Sequence, residues 1–202
     1  MGEPTSRRVW RCRDRELPVF DRVHVMGVLN VTPDSFSDGG LFSDRESAIR
    51  HGVEMVEDGA DIIDVGGEST RPGADPVSVS DELERVVPVI KQLAKEVDAA
   101  ISIDTMKAEV AEAALEAGAS IVNDVSALRS DPLMEEVVAS SEAGVVLMHM
   151  QGEPRTMQKE PHYQNVVEEV SRALHIWAEK AQTSGVEFDR IAIDPGIGFG
   201  KT

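Results

Sequence analysis

Three polar side chains, each placed directly after a short apolar run, could together bind a flat, nitrogen-rich ring. They are Asp104, Asn123 and Asp194. A carboxylate accepts two parallel hydrogen bonds from an amidine-like N–H edge, and an asparagine supplies one donor and one acceptor. Asp104 or Asp194 alone could instead cap the helix that follows it. Three such residues at the carboxyl ends of strands favour a binding site, because that end of an α/β barrel carries its active site.

Apolar runs and amphipathic stretches alternate along the chain, which predicts an α/β fold with a parallel sheet. The apolar runs cover residues 23–29, 60–65, 99–103, 119–122, 145–148 and 190–193. Helical patterns cover residues 44–58, 80–96, 106–117, 131–141 and 163–182; Asp44 is the expected N-cap of the first, and the second opens with the residues S-D-E-L at 80–83. A doubly wound sheet and a barrel both fit this alternation.

The polar residues at the ends of the runs favour the barrel, a TIM (β/α)₈ fold, over the open sheet. They are Asn30, Asp64, Asp104, Asn123, His149 and Asp194. In a barrel these residues converge on one mouth, whereas an open sheet would spread them along a crevice. Residues 1–22 precede the first run, and we expect them to form a short hairpin or arm across the bottom of the barrel.

Composition and charge exclude several classes of protein. The net charge of −17 argues against a nucleic-acid partner, which requires a basic surface. The single cysteine, Cys12, permits no intrachain disulfide, and no apolar run reaches the length of a membrane span. The N-terminal residues also lack the apolar segment of a secretory signal, so we expect a cytoplasmic protein without membrane contact. A phosphorylated substrate would need local cations, helix N-termini or a metal ion to overcome the overall charge.

Two features resemble functional motifs but are better explained without a nucleotide-binding loop or a catalytic histidine. The segment Asp194–Thr202, DPGIGFGKT, has Pro195 where a Walker A loop needs glycine, and its glycines are mis-spaced for a dinucleotide fingerprint. His149 ends an apolar run, where packing and hydrogen bonding at the rim are favoured over a catalytic proton transfer. The five histidines contain no i, i+4 pair, which argues against a structural zinc site.

The loops after the first two runs are long and polar, as expected of mobile segments at a barrel mouth. The first, residues 30–40, carries a single aromatic side chain, Phe36, together with Asp38. The second, residues 66–73, contains Thr70, Arg71 and Pro72, and its arginine places a cation at the mouth.

Six motifs in chain order resemble those of the dihydropteroate synthase family of pterin-binding barrel enzymes. They are GVLNVTPDSFSDGG, DVGGESTRPGA, SIDT, VNDV, LMHMQG and DPGIGFGKT, and the first two are highly specific. The resemblance implies a (β/α)₈ barrel, commonly a homodimer. It also implies a reaction, assisted by Mg²⁺, that condenses 6-hydroxymethyl-7,8-dihydropterin pyrophosphate with p-aminobenzoate to give 7,8-dihydropteroate and pyrophosphate.

The resemblance also implies a role for each matching residue. Asn30 would bind Mg²⁺ or contact the pyrophosphate, and Asp104, Asn123 and Asp194 would hold the pterin above Asp64. Met148 and Phe199 would help to line the pocket. The two long loops would close over the p-aminobenzoate site through Phe36, Asp38, Thr70, Arg71 and Pro72, with Asp38 and Arg71 taking part in catalysis.

The length of the chain leads to a further expectation. A barrel of this type needs eight strands and about 250 residues, so residues 1–202 are expected to form one domain that lacks strands seven and eight. The lysine and the Arg-x-His motif that the family carries after those strands would then be absent, which leaves the activity of the chain open. Two alternatives remain: a pterin-binding methyltransferase that uses methyltetrahydrofolate, and a non-catalytic pterin-binding fragment.

Overall fold

The polypeptide folds into a parallel sheet covered on one face by helices, preceded by a small hairpin. The computed structural model describes residues 8–32, 40–69, 76–152, 157–158 and 160–201. The hairpin pairs β1 (Val9–Cys12) with β2 (Arg15–Pro18) in antiparallel fashion. The sheet strands are β3 (Met26–Asn30), β4 (Ile62–Gly66), β5 (Ala100–Asp104), β6 (Ile121–Asp124), β7 (Gly144–Met148) and β8 (Ile191–Asp194).

Each strand of the sheet pairs in parallel with the next one along the chain, in the order β3-β4-β5-β6-β7-β8. The helices are α1 (Gly40–Glu57), α2 (Val79–Glu96), α3 (Ala108–Ala117), α4 (Met134–Ser141) and α5 (Val166–Thr183). This arrangement confirms the predicted parallel α/β sheet with six strands. Sequential neighbours connected through helices are the arrangement of a barrel wall.

Alternate residues of the strands separate the hydrophobic core from the site. The side chains directed toward the helices are fully buried in the main core, for example Leu29, Ile63, Val65, Ile103 and Leu147. The residues between them face the concave side of the sheet and include most of the polar residues singled out in the sequence. Because successive side chains of a strand point to opposite faces, burial of one set directs the other toward the barrel interior.

The boundaries of several elements differ from those predicted. Asp44 lies inside α1 rather than at its start, so the prediction that it caps this helix is wrong. Helix α2 begins after Ser78, whose hydroxyl accepts a hydrogen bond from the Asp81 amide at 3.1 Å, so Ser78 is the N-cap and the helix starts one residue before the predicted Ser80. Either serine fits the local pattern, and only the backbone conformation of residue 78 selects between them.

The N-terminal hairpin packs across the bottom of the sheet, as predicted. Its Cys12 forms a small apolar cluster with Ile62, Ala100 and Ile121, which lie at the amino-terminal ends of strands. The indole N–H of Trp10 donates to the carbonyl oxygen of Arg190 at 2.9 Å. The hairpin therefore covers the end of the barrel wall opposite to the polar residues.

The Cys12 thiol is expected to be unreactive in the folded protein. Its side chain is fully buried, and burial raises its pKa to about 12, so the reactive thiolate is scarce at neutral pH. A thiol reagent at pH 8 should modify Cys12 far more slowly in buffer than in denaturing urea, as followed by mass spectrometry. Equal rates in the two conditions would show that the hairpin detaches from the sheet.

Among the described residues, none of the helices combines the length and the apolar character needed to cross a membrane.

Candidate functional site

A row of four residues in register crosses the carboxyl ends of four neighbouring strands. Asn30 is in register with Gly66, Gly66 with Asp104, and Asp104 with Asn123. A Cβ atom added to Gly66 would lie 3.7 Å from Asn30 Oδ1 and 3.5 Å from Asp104 Oδ2. The missing side chain at Gly66 therefore leaves space between an amide oxygen and a carboxylate oxygen at the rim.

Asp64 lies below this row and binds Asn123. The Asn123 amide donates to Asp64 Oδ2 at 2.8 Å, while Oδ1 of the same carboxylate is buried and accepts no hydrogen bond from the residues that the structure describes. Burial raises the pKa of Asp64 above its ordinary value. Because the carboxylate accepts from the Asn123 NH₂ group, it fixes the orientation of the amide and leaves the Asn123 carbonyl oxygen available to a ligand.

Asp104 does not cap a helix, which removes the alternative reading of this residue. Its Oδ1 is buried and has no hydrogen-bond partner among the described residues. At the start of α3, the Ala108 amide donates instead to Asp131 Oδ2 at 2.8 Å, and the Lys107 amide donates to Thr105 Oγ1 at 3.2 Å. Burial raises the pKa of Asp104 well above its ordinary value, and the neighbouring carboxylates, Asp64 first among them, raise it further. Such an unpartnered acceptor suits an N–H-rich ligand.

Asp194 combines a local structural role with a position at the mouth. It lies on β8, two strands from Asn123, and is in register with Met148. Its Oδ1 accepts a hydrogen bond from the Gly196 amide at 2.7 Å. One carboxylate oxygen of Asp194 is therefore used by the turn that follows, and the other remains for a ligand.

An apolar cluster at the same end of the sheet contains both residues predicted to line the pocket. Met148 is 3% exposed, and Phe199 packs against the same group. The other members are Met106, Val125, Met150 and Met157. Thioether side chains adapt to irregular shapes, so this cluster can form the apolar wall of a pocket whose other walls are polar.

The segment after β8 folds into a tight loop that closes on a lysine. Gly196, Gly198 and Gly200 all have positive φ, at 64°, 92° and 59°. The Lys201 ammonium group donates to the carbonyl oxygens of His149, Gly196 and Phe199 at 2.8–3.0 Å. A lysine whose donors are held by backbone carbonyls is not presented to a phosphate, in agreement with the rejection of a nucleotide-binding loop.

His149 belongs to a packed stack beside this loop. It is 7% exposed, and its ring stacks on Trp177 with centroids 5.5 Å apart. The Arg129 guanidinium lies 4.1 Å from the Trp177 ring centroid. Burial, followed by the nearby Lys201, lowers the pKa of His149. These contacts agree with the packing role predicted for His149.

The sequence reading missed a charged cluster behind Asp104. It consists of Glu68, Glu82 and Lys107, and the Lys107 ammonium group is paired with both carboxylates. A signal was available, because Glu82 shares the buried face of α2 with Val86, Val89 and Leu93. A charged residue within an apolar helical stripe indicates that a partner must exist elsewhere in the chain.

Five of the residues predicted to take part in binding or catalysis lie outside the described residues. They are Phe36, Asp38, Thr70, Arg71 and Pro72.

The carboxylates and the oriented amide at the carboxyl ends of the parallel strands form a site that suits a polar heterocycle. Residues 26–202 match the family model described as pterin binding enzyme, and the chain belongs to this family. Within it, the chain groups with the dihydropteroate synthases. It is 46% identical to that of Clostridium beijerinckii over 93% of this chain and 67% of the relative. It is 48% identical to that of Escherichia coli K12 over 88% of this chain and 63% of the relative.

Solved structures show the same relationship. The Xanthomonas albilineans dihydropteroate synthase with 4-aminobenzoic acid superposes with a TM-score of 0.89 at 48% identity, covering 98% of this chain and 69% of that one. The Burkholderia cenocepacia dihydropteroate synthase complexed with 7,8-dihydropteroate gives a TM-score of 0.84 at 42% identity, covering 96% and 65%. The chain thus spans about two thirds of the length of its relatives, and the predicted fold class, six strands of the family barrel, is confirmed.

Proposed function

We propose that the protein acts in dihydropteroate synthesis, joining 6-hydroxymethyl-7,8-dihydropterin pyrophosphate to p-aminobenzoate. The observation that carries the proposal is Asp104, whose buried Oδ1 has no hydrogen-bond partner within the described part of the chain, in register with the oriented amide of Asn123. Relatives that are 42% and 48% identical to this chain have been solved with 7,8-dihydropteroate and with 4-aminobenzoic acid. Those ligands are the product and one substrate of the proposed reaction.

The first step assigned to these residues is recognition of the pterin. Asp104 accepts hydrogen bonds from the N–H edge of the ring, and Asn123, oriented by Asp64, supplies the complementary acceptor. Asp194 contributes the oxygen that is not occupied by the Gly196 amide. Met148 and Phe199 cover the ring with apolar surface and limit the access of water.

The second step is substitution at the methylene carbon of the pterin. The carbon–oxygen bond to pyrophosphate breaks and its electron pair leaves with the pyrophosphate. The positive charge that develops on the pterin is stabilised by the carboxylates of Asp64, which is buried, and Asp104, which is partly buried, and both are already in place before the bond breaks. The amine nitrogen of p-aminobenzoate then forms the new carbon–nitrogen bond and releases a proton.

Magnesium belongs to this proposal, and the residues present fit it. Mg²⁺ prefers oxygen ligands and commonly keeps several waters, binding through one or two protein oxygens together with substrate phosphates. Asn30, whose side chain is exposed and whose Oδ1 lies 3.7 Å from the position of a Cβ atom built on Gly66 at the rim, is the residue that would hold the ion. The ion would neutralise the charge of the pyrophosphate, which the net charge of −17 otherwise repels.

Further parts of the proposal rest on the family resemblance alone. They are the closing of the loops that contain Phe36, Asp38, Thr70, Arg71 and Pro72 over p-aminobenzoate, assembly as a homodimer, and a cytoplasmic location. Sedimentation velocity would test the dimer directly.

A coupled assay of pyrophosphate release tests the proposed reaction. We expect release to require the pterin pyrophosphate, p-aminobenzoate and Mg²⁺ together, and we expect sulfonamides to compete with p-aminobenzoate. A Yersinia pestis relative that is 43% identical has been solved with a sulfonamide drug, which supports this expectation.

The assay should be run on the 202-residue chain and on a chimaera extended with the C-terminal third of the E. coli relative. Turnover in either protein supports the synthase. Pterin binding without turnover in both would instead favour a non-catalytic binder. Methyl transfer from methyltetrahydrofolate would favour the methyltransferase, which the comparisons do not support.

A further inference from the structure

A completely buried carboxylate on α2 has no part in the mechanism described above. The side chain of Glu82 is 0% exposed and lies on the same helical face as Val86, Val89 and Leu93. A carboxylate in such surroundings is retained only when partners compensate for its lost hydration. The positions of those partners therefore show what Glu82 holds in place.

The first partners lie in the turn that follows Asp104. Thr105 Oγ1 donates to Glu82 Oε1 at 2.7 Å, and the Lys107 ammonium group pairs with Glu82 Oε2. The Lys107 amide in turn donates to Thr105 Oγ1 at 3.2 Å. Both carboxylate oxygens of Glu82 are thus engaged by the residues that connect Asp104 to α3.

The second partners lie at the beginning of the loop after β4. The same Lys107 ammonium group pairs with Glu68, and Arg85 donates to the carbonyl oxygen of Gly67 at 2.8 Å. A Cβ atom added to Gly67 would lie 2.7 Å from Val86 Cγ1 and 2.9 Å from Glu82 Cγ. The backbone therefore packs closely against α2 at this point, which requires glycine.

We propose that Glu82 is a positioning residue that fixes two elements of the mouth as one unit: the turn Asp104–Lys107 and the loop segment Gly67–Glu68. Its effect on ligand binding rests on the proposed function, whereas the mechanical coupling of the two elements does not. A role in stability alone is a weaker explanation, because an apolar residue at this buried position would serve stability as well. Among the described residues, the side chain of Glu82 instead makes its polar contacts with Thr105 and Lys107, which follow Asp104.

Amide hydrogen exchange tests the coupling without any ligand. Glu82→Gln keeps an acceptor for the Thr105 hydroxyl but removes the charge that holds Lys107. We expect exchange to accelerate about tenfold, as for the loss of one charged hydrogen bond, in both residues 67–69 and residues 105–107. Glu84→Gln is the matched control, since it makes the same change at an exposed position of the same helix. Faster amide exchange in only one of the two elements, or equally faster exchange across the whole chain, would overturn the proposal.

A second variant keeps the test available if Glu82→Gln does not fold. Thr105→Val preserves the shape of the side chain but removes the hydroxyl that donates to Glu82 and accepts from the Lys107 amide. If Glu82 holds the two elements together, Thr105→Val should also accelerate amide exchange in residues 67–69. An effect confined to residues 105–107 would count against the coupling.

Titration with the pterin pyrophosphate separates this inference from the proposed function. Wild-type protein that does not bind the pterin would refute the proposed function, and the exchange experiment would still decide the coupling. Where the wild type binds, Glu82→Gln should weaken binding about tenfold, and the double variant with Asp104→Asn should show a loss smaller than the sum of the two. Unchanged affinity in Glu82→Gln would refute its role in positioning Asp104.

Discussion

Asp104→Asn is expected to weaken binding of the pterin pyrophosphate by about 1.5–3 kcal/mol, because an amide replaces a charged acceptor of two hydrogen bonds. The same change should stabilise the free protein, since Oδ1 is buried with no hydrogen-bond partner in the ranges that the structure describes, and the group lies among other carboxylates. Its pKa is raised on folding, so ionisation opposes the folded state. The stability of the wild type relative to Asp104→Asn should therefore decline as the pH rises above about 4, the ordinary value for Asp.

Isothermal titration and urea unfolding at two pH values measure both effects. Asp58→Asn, the same substitution at an exposed position after α1, provides the control and should change neither quantity by much. Weaker binding with unchanged or greater stability identifies a ligand-binding carboxylate. A loss of stability with unchanged affinity would mean that Asp104 supports the local backbone after all.

Gly196→Ala is expected to disrupt the loop after β8 and to displace Asp194. The residue has a φ of 64°, in the left-handed region, which costs a residue with a side chain about 1–3 kcal/mol. In addition, the new methyl group would collide with the carbonyl oxygen of His149. That oxygen also accepts from Lys201 at 2.9 Å, so relief of the collision would disturb the contact that closes the loop.

Gly198→Ala separates backbone strain from the collision. Gly198 has a φ of 92°, but apart from its chain neighbours no atom of the described residues lies within 4 Å of the position of its added methyl group. We expect both variants to lose stability in urea unfolding, and only Gly196→Ala to lose a large part of its pterin affinity. Equal affinities in the two variants would show that the position of Asp194 does not depend on this loop.

Much of the scaffold follows from local patterns in the chain. Runs of Val and Ile separated by helical stretches predict parallel strands, and parallel strands place their carboxyl ends on one edge. Asp104 and Asn123 therefore lie next to each other, as expected. The motifs that resemble the synthase family agree with the match over residues 26–202. Element boundaries were less accurate, because hydrogen bonds to neighbouring strands, rather than apolar character alone, determine where a strand ends.

The amino-acid sequence by itself thus determined the parallel architecture, the family and the group of polar residues at the mouth, because each depends on local periodicity or contiguous motifs. Tertiary structure alone decided that Asp104 is an unpartnered acceptor, that Lys201 turns inward, and that Glu82 joins two elements of the mouth. Each of these depends on contacts between distant residues, such as Lys201 with His149, 52 positions apart. The cost of burying a charge can be recognised in a sequence, but the partner that offsets it is known only when the chain is folded.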